Sequence, residues 1–288
     1  MNFEKVKLAT GVYFIGVPIG TARDITLRAL DVLASADVLA AEDTRSLRRL
    51  MDIHGVPLAG RKIVALHDHS SARAASGLVA AAQAGKSVAY ASEAGMPLIA
   101  DPGFELGRLA AEHDVPVTCA PGPSAVLTAL VLAGLPTDAF FFAGFLPNAR
   151  SARHRRLTEI ESIPGTLVFY ESPKRLGEML ADAAQTLGAD RQGVVCRELT
   201  KKFEELRKDT LGELSAFYAE AKTKGEVVVL IDRQHSEKIS ENELKDALAA
   251  AMEGNSMRDA VDLVATAHDV PRRQVYQLGL ALSKAADD

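Results

Sequence analysis

An α/β fold in two successive strand-and-helix layers, followed by a small all-helical domain, is what this sequence predicts. Three observations carry the expectation. Short apolar runs alternate with segments of helical period from Val12 to Ile231, Gly- and Pro-rich loops close three of those runs, and beyond Ser240 apolar residues recur at helical spacing only.

Val12-Tyr13-Phe14-Ile15 reads as a strand ending in Gly16-Val17-Pro18-Ile19-Gly20. Asp24 is placed to cap a helix over Ile25–Ala34, where Ile25, Leu27, Leu30, Val32 and Leu33 share one broad apolar face. Val38–Ala41, Ile63–Leu66, Val88–Ala91 and Val115–Cys119 are further strands with helices between them, which predicts a mostly parallel sheet. This first domain is expected over 1–120. A second α/β domain, 121–235, opens at Pro121-Gly122-Pro123, where Ser124 caps an alanine-rich helix running to Ala133. Its strands are Phe140–Phe145, Thr166–Tyr170, Gly193–Arg197 and Val227–Ile231, with helices near 174–187 and 211–222. Asp232–Ser240 is polar and linker-like. In 236–288, Leu244, Leu248 and Met252, then Ala260, Val261, Val264 and Ala265, then Val275, Leu278 and Leu282 mark three helices. Such a tail serves as a helix-turn-helix or as a plain packing module.

Composition bounds the function. At 288 residues the chain is long enough for two ordinary domains, and 48% hydrophobic with 25% charged residues is normal for a globular protein. No apolar run reaches the roughly 20 residues that span a bilayer, and Met1–Lys7 lacks the apolar core of a signal peptide. Cys119 and Cys196 both sit in strand-like runs without metal spacing; they read as buried, reduced thiols, which places the chain in the cytoplasm. A net charge of −5 argues against a protein that coats nucleic acid, but not against a local basic surface. Asn148–Arg156 concentrates Arg150, Arg153, Arg155 and Arg156 with His154. It reads either as a solvated loop running into a helix or as an arm that grips phosphates.

Three loops carry the functional signal: Gly16–Gly20, Ala94–Gly103 and Pro121-Gly122-Pro123-Ser124-Ala125. Loops at the carboxyl ends of strands are where open α/β proteins bind ligands, although Gly and Pro also punctuate ordinary turns. No G-x-G-x-x-G is present, and Ala84-Gly85-Lys86-Ser87 ends like a phosphate loop while position 80 is Ala instead of Gly. A nucleoside triphosphate or NAD site is therefore disfavoured. A ligand cupped by backbone groups at several strand ends fits instead.

In fixed order come Gly16–Gly20 with Asp24-Ile25-Thr26, Ala41-Glu42-Asp43-Thr44-Arg45, Ala65-Leu66-His67-Asp68-His69, the 92–106 loop, Pro121–Ala125, Phe169-Tyr170-Glu171-Ser172 and Arg197-Glu198-Leu199-Thr200-Lys201. Together they resemble the tetrapyrrole methylase superfamily, most closely its branch acting on small-subunit ribosomal RNA. The resemblance runs from about residue 10 to 232 and extends to the helical tail. It implies two α/β domains of the tetrapyrrole methylase type with the cofactor cleft between them. It also implies a reaction, transfer of a methyl from S-adenosylmethionine to the ribose 2′-hydroxyl of a cytidine in the decoding region of 16S rRNA. A homodimer is the implied assembly. By position, the cofactor residues would be Pro18, then Ala94, Gly95, Met96, Ile99 and Asp101, then Ser124 and Ala125, with Tyr170, Glu171, Gly225 and Glu226 from the second domain. Two departures stand out: Val17-Pro18-Ile19-Gly20-Thr21 replaces the usual Thr-Pro-Ile-Gly-Asn, and Ser92-Glu93-Ala94-Gly95-Met96-Pro97 replaces Ser-Asp-Ala-Gly-Thr-Pro.

Methyl transfer is a displacement at carbon that needs the hydroxyl oxygen held in line, roughly 3–3.5 Å away, with help in losing its proton. Glu42, Asp43, His67, Asp68, His69 and Glu171 are the candidate bases near strand ends. Each also has a structural account: Asp43 can pair with Arg45, and His67–His69 can cap the next helix. Asp43 and Arg45 can alternatively orient the ribose and its phosphate. The RNA contacts expected are Arg45, Arg150, Arg153, Arg155, Arg156, Lys174, Arg175 and Lys201, together with Lys202, Arg272 and Arg273. The alternatives are a small-molecule methylase of the same superfamily and an RNA-binding module with a vestigial site; intact glycines and prolines in all three loops argue against the latter.

Overall fold

The computed structural model describes residues 2–66, 71–99, 103–234, 241–268 and 270–287. His67, Asp68, His69 and Asp101, and most of the polar stretch before the tail, lie outside the described residues. The chain divides into two compact units, Met1–Arg233 and Gln234–Asp288.

The first unit holds two five-stranded sheets. Strands β1 (Gly11–Ile15), β2 (Val38–Ala41), β3 (Ile63–Ala65), β4 (Ser87–Ala91) and β5 (Val117–Ala120) run parallel in the order β3-β2-β4-β1-β5. Helices α1 (Leu27–Ser35), α2 (Thr44–Ile53), α3 (Ser71–Gln83) and α4 (Phe104–Glu112) connect them. Both faces are covered, so the central strands are continuous apolar runs. Along β1, Ile15 packs with Leu30, Leu33, Leu47 and Met51 on one face, while Val12 and Phe14 pack with Leu78, Val79, Tyr90 and Leu106 on the other.

Two local expectations fail here. Asp24 lies in a short 3-10 turn, Ala22–Asp24, and the cap of α1 is Thr26, whose hydroxyl accepts from Ala29 N at 3.2 Å. Cys119 is exposed because β5 is an edge strand with one open face; only Cys196 is buried, and burial pushes its thiol up to about 12.

The second sheet orders β6 (Phe140–Phe145), β7 (Thr166–Glu171), β8 (Gln192–Arg197), β9 (Glu205–Thr210) and β10 (Val227–Ile231) as β6-β7-β10-β8-β9. Only β6 and β7 are parallel; the remaining pairs are antiparallel. Its helices are α5 (Ala125–Ala133), α6 (Arg150–Ile160), α7 (Leu176–Leu187) and α8 (Leu211–Glu220). Leu167, Phe169 and Val229 pack on Leu157, Met179, Leu180 and Leu214. Val168, Val228 and Leu230 face the opposite way, onto Val126, Ala129 and Leu130. Strand β9 escapes sequence reading because Glu205-Leu206-Arg207-Lys208-Asp209-Thr210 is mostly polar. It forms because it zips onto β8 along its whole length, with Arg197 donating to Glu205 Oε2 at 2.7 Å and Arg207 stacked 3.5 Å from the Phe217 ring centre. A charged edge also discourages further strand pairing.

The basic segment 150–156 is the first two turns of α6, and its charges have partners. Arg153 is 2% exposed and donates to Asp182 Oδ2 at 2.6 Å, while Arg150 and His154 share Asp182 Oδ1 at 3.0 Å. The flexible arm is therefore replaced by a helix pinned to α7. Pinning costs less here than it would with lone charges, since a buried ion is tolerated when paired and hydrogen-bonded.

The second unit contains α9 (Glu241–Met252), α10 (Met257–Ala267) and α11 (Arg272–Asp287) around Leu244, Leu248, Ala260, Val261, Val264 and Val275. Ser256 caps α10 by accepting from Asp259 N at 3.3 Å.

Candidate active site

The three Gly/Pro loops lock into one another. Val17 and Gly95 exchange backbone hydrogen bonds, N to O, at 2.9 and 3.1 Å, an isolated bridge that joins the first loop to the second. Gly16 and Gly122 touch so closely that a Cβ on Gly16 would stand 2.6 Å from Gly122 N, and one on Gly122 would stand 2.9 Å from the Gly16 backbone. Only residues without side chains permit this approach of first and third loops. Gly122 N also donates to Met96 Sδ at 3.2 Å. The departures at Val17 and Met96 are thereby accounted for: Val17 contributes backbone and a buried side chain, and Met96 fills the seam between loops. Thr21 reaches the second sheet's 198–201 turn, its N donating to Thr200 Oγ1 at 3.2 Å, and Ile19 packs among Val126, Leu199 and Val228.

Between these loops and the second sheet lies a cavity of about 430 Å³, within the range of small-molecule sites. Of the expected cofactor residues, Ala94, Gly95, Met96, Ile99, Ser124, Ala125, Tyr170, Glu171, Gly225 and Glu226 all line it. Pro18 does not; it borders an adjacent, smaller groove with Ser46, Arg49 and Ile53. Glu42, a candidate base, lines it too, and Ile19, Glu93, Phe145, Ser172, Pro173, Leu199, Val227 and Val228 complete the described lining without having been among the expected site residues. For Phe145 a signal existed, since Gly144 inside an apolar strand marks a bulge.

The ionisable lining side chains are four carboxylates, Glu42, Glu93, Glu171 and Glu226, and one phenol, Tyr170; no lysine or arginine is among the described lining residues. Burial raises Tyr170 above the ordinary tyrosine range, and the nearby Glu226 charge adds to this. Glu42 is half-buried at the end of β2, and its Oε2 accepts from Glu93 N at 3.0 Å. Asp43, next along, caps α2 by accepting from Arg45 N at 2.7 Å and Ser46 N at 3.2 Å. The Arg45 guanidinium and those two N–H groups hold its carboxyl below the usual value. Glu171 is enclosed: Oε1 accepts from Ser172 N at 2.6 Å, and Oε2 lies 3.3 Å from Arg175 Nη2 without hydrogen-bond geometry. Burial pushes Glu171 up, with Ser172 N–H and Arg175 opposing.

The expected RNA cations separate into two groups. Arg45, Arg150, Arg155 and Lys174 are exposed, and Arg156 is partly so, held by Glu159 and the Phe141 ring. Arg153 is buried in its ion pair. Arg175 holds backbone, donating to Leu146 O at 2.8 Å and Pro147 O at 3.2 Å. Lys201 pairs with Glu198 at 2.9 Å and Glu226 at 2.8 Å, which outweigh its burial and raise its basicity. In the tail Arg272 pairs with Asp262, and Arg273 is exposed.

Two α/β sheets with ligand-type loops between them define a class that known structures share. Uroporphyrin-III C-methyltransferase from Thermus thermophilus, solved with S-adenosyl homocysteine, superposes with a TM-score of 0.54 at 21% identity, covering 76% of this chain and 96% of that one. That likeness concerns the fold. Residues 11–215 match the family of Tetrapyrrole (Corrin/Porphyrin) Methylases, and 239–283 match the RsmI C-terminal HTH domain. Ribosomal RNA small subunit methyltransferase I of Mesorhizobium japonicum is 48% identical over 78% of this chain and 76% of its own; that of Vibrio cholerae is 41% identical over 93% and 94%. This chain belongs to the tetrapyrrole methylases and, within them, to the ribosomal RNA small subunit methyltransferase I family.

Proposed function

We propose that this protein transfers a methyl group from S-adenosylmethionine to the ribose 2′-hydroxyl of a cytidine in the decoding region of 16S rRNA, acting on the small ribosomal subunit in the cytoplasm. The observation that carries the reading is a cavity built from loops of both sheets, in which the charged side chains among the described lining residues are all carboxylates. Such a lining suits a cationic ligand, and S-adenosylmethionine carries a sulfonium and an ammonium. Ala94, Gly95, Met96, Ser124 and Ala125 would hold it on one side, Tyr170, Gly225 and Glu226 on the other. When bound, it supplies an electrophilic methyl beside a neutral leaving group.

This chain's residues then hold the ribose and take its proton. Glu42 is the base in this reading because it lines the cavity, whereas Asp43 is not among the described lining residues and caps α2, and Glu171 is buried with Oε1 held by Ser172 N. Glu42 would accept the proton of the ribose 2′-hydroxyl, while the donor, when bound, would supply the methyl and leave as the neutral thioether with its C–S bond broken. Arg45, Arg155 and Lys174 are the exposed cations proposed to hold flanking phosphates. The homodimer is supported by α5, whose Leu127, Val131 and Leu132 are exposed together, Val131 to 81%. A bare apolar helix face of this kind is characteristic of an interface.

The test is methyl transfer from labelled donor to small subunits of a strain that lacks the modification. Wild type should label the subunit; Glu42→Gln, which keeps an acceptor for Glu93 N, should lose about 100-fold or more of the rate with S-adenosylhomocysteine affinity intact. Absence of both donor binding and transfer would overturn the reading.

A further inference from the structure

Strand β6 contains a device that the chemistry above leaves unused. Phe140, Phe141 and Phe142 pair with Thr166, Leu167 and Val168, but the register then slips, so that Gly144 meets Phe169 and Phe145 meets Tyr170. Ala143 is the extra residue, and Gly144 sits at φ +68° with nothing within 4 Å of where a Cβ would be. Glycine is required there by backbone conformation, not by space. The consequence is geometric. In regular alternation Phe145 would share the face of Phe141 and Ala143, which pack into the core beneath α6 and α7. The bulge turns it to the opposite face, with Phe142 and Tyr170, whose rings stand 4.9 Å apart, and Phe145 lies 5.7 Å from Tyr170. Phe145 lines the cavity yet remains 56% exposed.

The chain beyond Phe145 is clamped. Arg175 donates to Leu146 O and Pro147 O and bonds Asn148 Oδ1, and Arg153 donates to Asn148 O at 3.0 Å and Pro147 O at 3.3 Å. Two guanidiniums, anchored on Glu171 and Asp182, thus fix the residues that follow an aromatic ring standing at the cavity mouth. What distinguishes Phe145 from other exposed rings is that it lines the cavity, where a planar ligand can bury its open face.

We propose that Phe145 is the stacking platform for the nucleobase of the target nucleotide, extruded so that its ribose enters the cavity; this rests on the reading that the substrate is RNA. Splayed-out bases are commonly held on aromatic faces, and exposed Lys174, two residues past the lining Ser172, is placed to meet an adjoining phosphate. The test compares Phe145→Ala, Phe145→Trp and wild type in steady-state methylation of unmodified small subunits, with S-adenosylhomocysteine affinity measured by calorimetry on the same proteins. Phe145→Ala should raise KM for the subunit about tenfold or more with cofactor affinity unchanged, and Phe145→Trp should restore it. An unchanged KM, or a parallel loss of cofactor affinity showing that the ring holds the donor's adenine, would overturn the proposal while leaving the methyltransferase reading intact. A wild type that methylates no subunit would sink both.

Discussion

Asp43 and Glu42 show how neighbouring carboxylates come to different surroundings: Asp43 caps α2, and Glu42 lines the cavity. The sequence offers both as bases, since each follows an apolar strand; what separates them is the start of α2, whose free N–H groups claim Asp43. Replacing Asp43 by Ala should lower the urea midpoint of unfolding through loss of the cap, and Asn should recover most of it. At Asp182, burial alone would raise the carboxyl, but Arg153 and Arg150 outweigh it and the folded value is lowered. A lowered folded value means this group's stabilisation is complete above the ordinary 3.8 and is lost as pH falls through the folded value. Asp182→Asn should therefore remove about 3 kcal/mol at neutral pH, by leaving Arg153 buried with a weakened counter-charge, and should flatten the acid limb of a stability-versus-pH curve. Equal stability of variant and wild type at pH 7 would contradict this. The buried pair was illegible in sequence because Arg153 and Asp182 come from different helices.

Among elements, the central strands β1, β2 and β4 were readable because burial on both faces makes them continuous apolar runs, and Ser124 at α5 because its cap is a local signal. Strand β9 was not, since its pairing with β8 supplies what its own composition lacks. Helix α6 was half-read: arginines on a helix surface look the same in sequence whether they face water or Asp182. The loops were legible as glycines and prolines, but not their interlocking, which needs residues 16, 95 and 122 brought together by the sheet. Gly16→Ala should part the first and third loops, because the two nearest atoms are Gly122 backbone, which cannot yield as the Met96 side chain can. Calorimetry should then show S-adenosylhomocysteine affinity reduced about tenfold or more, a difference of about 1.4 kcal/mol. Wild-type affinity in that variant would show that the loop contact does not shape the cavity.

For the whole molecule, the two-sheet unit holds the cavity and the three-helix unit matches the RsmI C-terminal HTH domain. The exposed face of α5 gives the assembly its own test. Light scattering should report twice the 30.7 kDa chain mass, and Val131→Glu should give monomers, since burying an unpaired charge at an interface is strongly unfavourable; a wild type that is monomeric at micromolar concentration would rule out the dimer. The most direct measurement concerns the product. After reaction with labelled donor and unmodified small subunits, the 16S rRNA is digested to nucleosides and resolved by mass spectrometry. The label is expected in 2′-O-methylcytidine alone, at one position of the decoding region. Label on a base, or in no ribosomal nucleoside, would contradict the proposed transfer to a sugar hydroxyl.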